Sequence, residues 1–363
     1  MRARRIISLS FEPWNVELLE PFGIATGAQL VAENVLLELR LEGGALGLGE
    51  AAPFPAVNAE TQADALAALE GAREALLSAE LDPAAGSLPE PLQALLAAAP
   101  SALCALEMAL LDAACRERQV SMFRHFGGRQ PQLSTDITIT TGSAEAAAAA
   151  ARRALTQGFA TLKVKVGGDA FENDLERLRR IAEQAPRARL LLDANASLSA
   201  EAAVALVDGL GARRAQVVLF EQPCARGDFA GARRVRQAGI RVAADEDARS
   251  TADVTRLATE QAADVVNFKL TKCGVSETLR MIAEAQRLGL GLMMGGMVET
   301  RLAMTVSACI AGGIGGFEEL DLDTPLFMRD DRLLGGFAQV GATLDVGAIV
   351  AGHGVCRRAT SAA

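Results

Sequence analysis

Two lysine positions and three carboxylates recur at one spacing in the second half of the chain, and together they could move a proton beside a carboxylate. Lys163 and Lys165 close one apolar run, Asp193, Glu221 and Asp245 each close another, and Lys269 closes a fifth. The steps from Lys165 through Asp193, Glu221 and Asp245 to Lys269 are 28, 28, 24 and 24 residues, each the length of one strand-plus-helix unit. If those units form a barrel, the side chains return to one rim, where barrel active sites lie. Asp193, Glu221 and Asp245 offer three hard oxygen ligands, which could not all stay ionised together without a cation. Mg²⁺ suits that donor set and Mn²⁺ is an acceptable substitute. Zinc is disfavoured, because neither His125 nor His353 stands on a strand end.

A substrate carboxylate held between Lys165 and Lys269 presents its α-carbon to one lysine on each face. With a metal and Lys163 beside it, the negative charge that develops as the α-proton leaves is stabilised. One lysine removes the proton and the other returns it on the opposite face. The expected reaction is therefore a racemisation or epimerisation, a 1,1-proton transfer through an enediolate. Each residue alone has a blander reading: a strand-end acid caps the next helix, and Lys163 is a solvated rim charge. Five such residues at five successive strand ends, in the order lysine, acid, acid, acid, lysine, are not independent events.

The elements that must position them can be read from periodicity. Short β-rich runs alternate with helical patterns over Thr135–Thr141, Thr161–Val166, Arg189–Ala194, Gln216–Glu221, Arg241–Asp245, Asp264–Leu270, Leu290–Gly295 and Gly316–Leu320. Eight parallel strands with crossover helices close into an α/β barrel, with an open doubly wound sheet as the alternative. The Ala-rich stretch Ala144–Ala154 reads as a helix on the barrel exterior. Before the barrel, Asn34–Leu41 alternates apolar and polar residues, turns at Glu42-Gly43-Gly44 and resumes over Leu46–Glu50, a strand meander. Helical patterns follow over Thr61–Leu77 and Ser101–Arg118. The expected layout is an α+β unit at 1–125, a barrel at 126–325, and a Gly-rich tail at 326–363 that packs back on the first unit.

Composition narrows the partners. The chain has 363 residues and a net charge of −9, which argues against nucleic acid or an anionic membrane surface. Its six cysteines form no C-x-x-C pair, and a basic start is interrupted early by Glu12 and Trp14. These features point to a reduced, cytoplasmic protein without a signal peptide or a membrane span.

The motifs Lys163-Val164-Lys165, Asp193-Ala194-Asn195, Phe220-Glu221-Gln222-Pro223, Ala244-Asp245-Glu246 and Asn267-Phe268-Lys269-Leu270 resemble those of the enolase superfamily, specifically its muconate-lactonising subgroup. The resemblance spans essentially the whole chain. It implies a modified (β/α)7β TIM barrel under an α+β capping domain completed by the C-terminal tail. It also implies Lys165 and Lys269 as paired acid and base. Within the subgroup, Asp321-Leu322-Asp323-Thr324-Pro325 resembles the signature of dipeptide epimerases, in which the two aspartates hold the substrate's α-ammonium. A plain turn before Pro325 is the other reading of that segment. Gly27 stands where Ala-Glu epimerases carry an arginine for the glutamate side chain. The cap loops, with Phe22, Ile24 and Phe54, are apolar, so an apolar C-terminal residue is expected. Thr138, Gly296 and Met297 complete the expected substrate-binding set, and a homo-oligomer acting on a dipeptide is expected. Asp247 and Cys273-Gly274-Val275 depart from the usual serine and double glycine. An o-succinylbenzoate synthase, an N-acylamino acid racemase or a muconate cycloisomerase would use the same lysines and metal, and a non-catalytic metal-binding barrel is the remaining alternative.

Overall fold

The alternation that marks Asn34–Leu41 becomes a strand with two buried faces. The computed structural model describes residues 4–24, 27–82, 88–140, 142–330 and 332–359, except the side chains of residues 20–28, Ala56 and Asn58. The strands β1 (Ile6–Ile24), β2 (Gly27–Leu41) and β3 (Leu46–Ala51) form an antiparallel sheet in that order. The helices α1 (Pro55–Asn58), α2 (Gln62–Ser78), α3 (Glu90–Leu95), α4 (Pro100–Glu117) and α5 (Met122–His125) follow. One sheet face, with Val35, Leu37 and Leu39, packs with Leu69 of α2 and Leu106 of α4. The opposite face, with Trp14, Val16 and Leu36, shares a core with barrel residues such as Met297 and Leu322. This second burial joins cap to barrel.

Helix α4 is apolar almost all round and accordingly buried. Gly47 and Gly49 of β3 let it approach, because an added Cβ at either would sit about 2 Å from the carbonyl oxygen of Ala109 or Ala105. Thr61, at the start of the expected helix, is the N-cap of α2 and forms a capping box with Asp64. β1 is interrupted by Pro13 and Pro21 and lacks the clear alternation that made β2 and β3 legible.

After β4 (Gln132–Ser134), strands and helices alternate strictly. They are β5 (Ile137–Ile139), α6 (Ala144–Thr156), β6 (Thr161–Lys165), α7 (Phe171–Gln184), β7 (Arg189–Asp193), α8 (Ala200–Asp208), β8 (Val217–Glu221), α9 (Phe229–Gln237), β9 (Val242–Ala244), α10 (Thr251–Thr259), β10 (Val265–Phe268), α11 (Val275–Leu288), β11 (Gly291–Met294), α12 (Arg301–Ile314) and β12 (Phe317–Leu320). The eight strands β5 to β12 form one parallel sheet in chain order. It curls until the backbone N–H of Asp136 donates to the Leu320 carbonyl at 2.9 Å. Leu322 N–H then donates to the Thr135 hydroxyl at 2.9 Å. These contacts bring the first and last strands together, against the open-sheet alternative. Seven strands are followed by a helix and the eighth is not, which is the (β/α)7β order. All eight expected strands are present. β5 is shorter than Thr135–Thr141, because Thr135 and Asp136 spend their hydrogen bonds on this seam, and Thr141 lies outside the described residues. Ser143, Ser199, Asp228, Ser250 and Thr300 cap α6, α8, α9, α10 and α12 with side-chain acceptors. Each such cap is worth about 1 kcal/mol and fixes where the strand-end loop turns.

The tail pairs β13 (Leu333–Gly335) with β16 (Val355–Arg357), and β14 (Ala338–Val340) with β15 (Thr343–Asp345), which also pairs with β4. The tail touches the first segment at Trp14. Trp14 Nε1 donates to Asp330 at 3.0 Å, and the Arg332 guanidinium lies 3.8 Å over the Trp14 ring.

Candidate active site

Period-two alternation places the site. In β6, Leu162 and Val164 join the outer core, so Lys163 and Lys165 point into the barrel. Register then aligns Lys165 with Asp193, and Asp193 with Glu221. Asp245 and Lys269 follow the ends of β9 and β10. All the charged residues singled out are buried.

They do not form a bare trio of acids flanked by lysines. They alternate. Lys165 Nζ lies 2.6 Å from Asp193, and Lys163 Nζ bridges Asp193 at 3.0 Å and Glu221 at 2.7 Å. Lys269 Nζ bridges Glu221 at 3.5 Å and Asp245 at 2.6 Å. Lys272 closes the row at 2.9 Å from Asp245, and also donates to the carbonyls of Asp245 and Asn267, each at 2.8 Å. The physical reason is that buried carboxylates need cations, and the lysine ammoniums supply them. Burial opposes ionisation of Asp193, but Lys163 and Lys165 outweigh it and hold this acid below the usual carboxylate range. Burial likewise opposes the charge on Asp245, and Lys269 and Lys272 outweigh it. Glu221 is raised, by burial first and then by the Asp193 charge. Burial works to lower Lys269, yet Asp245 and Glu221 hold it above its ordinary value.

The strand ends are stiffened by strained backbone. Asn195, Ala196 and Gln222 have φ of +44°, +64° and +34°, a region that costs a non-glycine residue about 1–3 kcal/mol. Gln222 compensates with hydrogen bonds. Its Oε1 accepts from the N–H groups of Asp245 at 3.0 Å and Asp247 at 3.3 Å. Its Nε2 donates to Asp247 at 2.8 Å. The unusual Asp247 thus ties two strand-end loops together, and its other oxygen accepts from Gly227 N–H.

Asp321 and Asp323 lie beside this row, and sequence reasoning missed the residue that joins them. Asp136, Asp321 and Asp323 place one carboxylate oxygen each within 4.8 Å of one another. Lys163 reaches Asp321 at 2.6 Å, and Thr138 N–H donates to Asp323 at 2.6 Å. Burial, then Asp321, pushes Asp323 up to about 7. Burial with Asp321 and Asp323 raises Asp136 well above the carboxylate range. The available signal for Asp136 was an acid within an otherwise apolar and threonine-rich strand. For Lys272 it was a second lysine one turn after Lys269.

A cavity of about 30 Å³ is lined by Phe54, Lys163, Lys165, Lys269, Met297 and Asp321, room for a water or two. Thr138 and Gly296 also line it. A Cβ on Gly296 would meet the Met304 side chain at 2.2 Å, so this glycine also serves packing. The side chains of Phe22 and Ile24, and that of any residue at position 27, lie outside the described set. A larger groove of about 1020 Å³ runs outside the barrel along Ile137, Ile139, Ala150, Arg153 and Phe327. Its lining offers no acid–base pair, whereas the small cavity is lined by three lysines and Asp321.

The chain is similar to known proteins over nearly its whole length. Residues 7–127 match the mandelate racemase / muconate lactonizing enzyme N-terminal domain, and residues 145–355 match the enolase C-terminal domain-like model. An aromatic dipeptide epimerase of Herpetosiphon aurantiacus is 50% identical over 96% of this chain and 98% of its own length. A hydrophobic dipeptide epimerase of Citrifermentans bemidjiense is 37% identical over 86% of this chain and 87% of its own. The solved dipeptide epimerase of Enterococcus faecalis, complexed with Mg and L-Leu-L-Tyr, superposes with a TM-score of 0.90 at 29% identity, covering 98% of this chain and 99% of that one. With both halves matched and the barrel order observed, the chain belongs to the mandelate racemase/muconate lactonizing enzyme family of the enolase superfamily.

Proposed function

We infer that this protein is an Mg²⁺-dependent dipeptide epimerase that inverts the α-carbon of an apolar C-terminal residue. The observation that carries the reading is the row Lys165, Asp193, Lys163, Glu221, Lys269, Asp245, in which two lysines stand at separated positions along a line of acids. Asp193, Glu221 and Asp245 have the donor chemistry for Mg²⁺, and Mn²⁺ fits the same set. The ammonium groups wedged between them support a site built for positive charge. When bound, the metal would supply positive charge to offset the negative charge developing on the substrate carboxylate.

Lys165 and Lys269 would exchange protons with the α-carbon from opposite faces. A lysine paired as Lys269 is here keeps its proton, since Asp245 and Glu221 outweigh burial. Freeing those carboxylates from the ammonium lowers its proton affinity and prepares it as a base. Lys163 would remain charged and face the developing negative charge. Asp321 and Asp323 would take the substrate's α-ammonium. Phe54, Val57, Met297 and Val298 give the cavity an apolar side, which supports an apolar side chain on the substrate. The free cysteines support a reducing, cytoplasmic setting.

The test is a dipeptide library in D₂O with Mg²⁺, read by mass. Deuterium should enter the C-terminal residue of apolar dipeptides. Turnover of an acyl amino acid or a cyclohexadiene acid, with no exchange into any dipeptide, overturns the reading.

A further inference from the structure

Three carboxylates meet at the seam between β5 and the segment after β12, and among the described residues one lysine, Lys163, reaches them. Asp136 is 2% exposed and Asp323 is 1% exposed. Neither carboxylate oxygen of Asp136 has a hydrogen-bond partner, and Oδ1 of Asp323 has none either. Buried acceptors without donors are costly, about 1–3 kcal/mol each and more when charged. Their oxygens face a common point. Three atoms within 4.8 Å of one another leave a position no farther than 4.8 Å divided by √3, about 2.8 Å, from all three. That is the length of a charge-assisted N–H···O bond.

We propose that Asp136 is the third wall of a cation cage, with Asp321 and Asp323, that selects a primary ammonium on the substrate. The inference rests on the dipeptide reading and adds the specificity of its amino end. A primary ammonium carries three N–H donors, and the cage offers three carboxylates. A secondary ammonium of equal charge has two donors and leaves one acid unpaired. A second metal ion is the weaker occupant. The Lys163 ammonium already stands 2.6 Å from Asp321 and supplies one positive charge there, so a single further charge carrying one N–H for each acid fits the cage more closely than a dication. Asp136 sits directly before Ile137, on the strand whose Thr138 N–H holds Asp323. The strand that closes the barrel therefore also builds the cage.

The experiment compares L-Ala-L-Leu with its N-methyl-alanyl analogue on the Mg²⁺-loaded enzyme, by deuterium exchange and by calorimetric binding. The intact enzyme should favour the primary amine by at least about tenfold in KM, as sites built around a donor do when it is lost. Asp136→Ala should shrink that preference to within about threefold, by weakening L-Ala-L-Leu and admitting the methyl group. A purely structural Asp136 would instead lower both substrates together and leave the ratio unchanged, which overturns the proposal. If Asp136→Ala fails to fold by circular dichroism, the intact enzyme decides alone, and a ratio near one overturns it. Loss of a second bound Mg²⁺ equivalent in Asp136→Asn would assign the cage to a metal and also overturn it. Failure of the dipeptide reading looks different, since the intact enzyme would then exchange neither substrate.

Discussion

The two acid clusters of the barrel mouth differ in one respect: how many cations the fold supplies. Asp193, Glu221 and Asp245 have four lysines among them, Lys163, Lys165, Lys269 and Lys272. Among the described residues, Asp136, Asp321 and Asp323 have one lysine in ion-pair contact, Lys163, which they share with the first cluster. The first cluster is thus charge-balanced without a ligand. The second is short of positive charge and keeps unpaired oxygens under almost complete burial. Balanced clusters hold a geometry ready. Deficient ones hold a vacancy of charge that a ligand must fill, at the expense of folded-state stability.

The largest effect comes from cutting the balanced row at its ends. Lys165→Ala and Lys269→Ala should each lower epimerisation by about 10⁴-fold, since general acid–base groups contribute about 10²–10⁴ and both transfers are needed. Each variant should still exchange the α-proton of one stereoisomer in D₂O, because one face retains its lysine. Equal exchange of both stereoisomers by either variant would show that the lysines do not serve opposite faces.

Acid-to-amide changes should split the clusters by sign. Asp193→Asn leaves the Lys165 ammonium buried beside a neutral partner, and should cost about 3–5 kcal/mol of stability. Asp323→Asn should do the reverse in the ligand-free protein. Burial beside Asp321 raises Asp323 to about 7, so the folded state binds a proton that the unfolded chain has released above its ordinary value of 3.8. Stability from this group is therefore present below pH 3.8 and lost as pH climbs to about 7. The variant lacks that loss, and it should exceed the parent by about 1–2 kcal/mol at pH 8 and by less at pH 5. Urea unfolding at the two values measures it. A variant less stable at pH 8 would contradict the idea that the second cluster is short of cations.

Much of this was legible because barrels convert spacing into proximity. Steps of one βα unit bring Lys165, Asp193, Glu221, Asp245 and Lys269 to one rim, whatever the helices between them contain. The eight strands and the Ala-rich helix α6 followed from periodicity alone. What spacing does not carry is pairing. Nothing in the order lysine, acid, acid, acid, lysine says that Lys163 inserts between Asp193 and Glu221, or that Lys272 turns back to Asp245. Those choices depend on side-chain reach in three dimensions. Asp136 was missed for a related reason, since it meets Asp321 and Asp323 across a separation of 185 residues or more in the chain. Only barrel closure creates that contact. The long strand β1 escaped notice because Pro13 and Pro21 break its alternation.

A third buried acid, remote from the mouth, gives the comparison a control. Asp112 of α4 has its own hydrogen-bonding and ionic partners. Arg116 Nε lies 2.8 Å from it, His353 Nε2 lies 3.2 Å from it, and the N–H groups of Leu48 and His353 donate to it at 3.1 and 3.0 Å. Burial opposes its charge, but His353 and Arg116 outweigh it and lower its proton affinity. Like the balanced row, it should favour folding. Unlike that row it does not line the small cavity, so Asp112→Asn should leave the KM for dipeptide unchanged. The variant should lose about 1–2 kcal/mol, the worth of a hydrogen bond to a charged group discounted for the partly exposed Arg116. For an acid with a lowered folded value, that stability is complete above about pH 4 and disappears only as pH falls further. Urea unfolding at pH 7 and pH 5 should then give the same difference between parent and variant. A difference that changed between those two values would assign the effect to the charge on His353 instead, and Asp112 would cease to be an example of a self-sufficient buried acid.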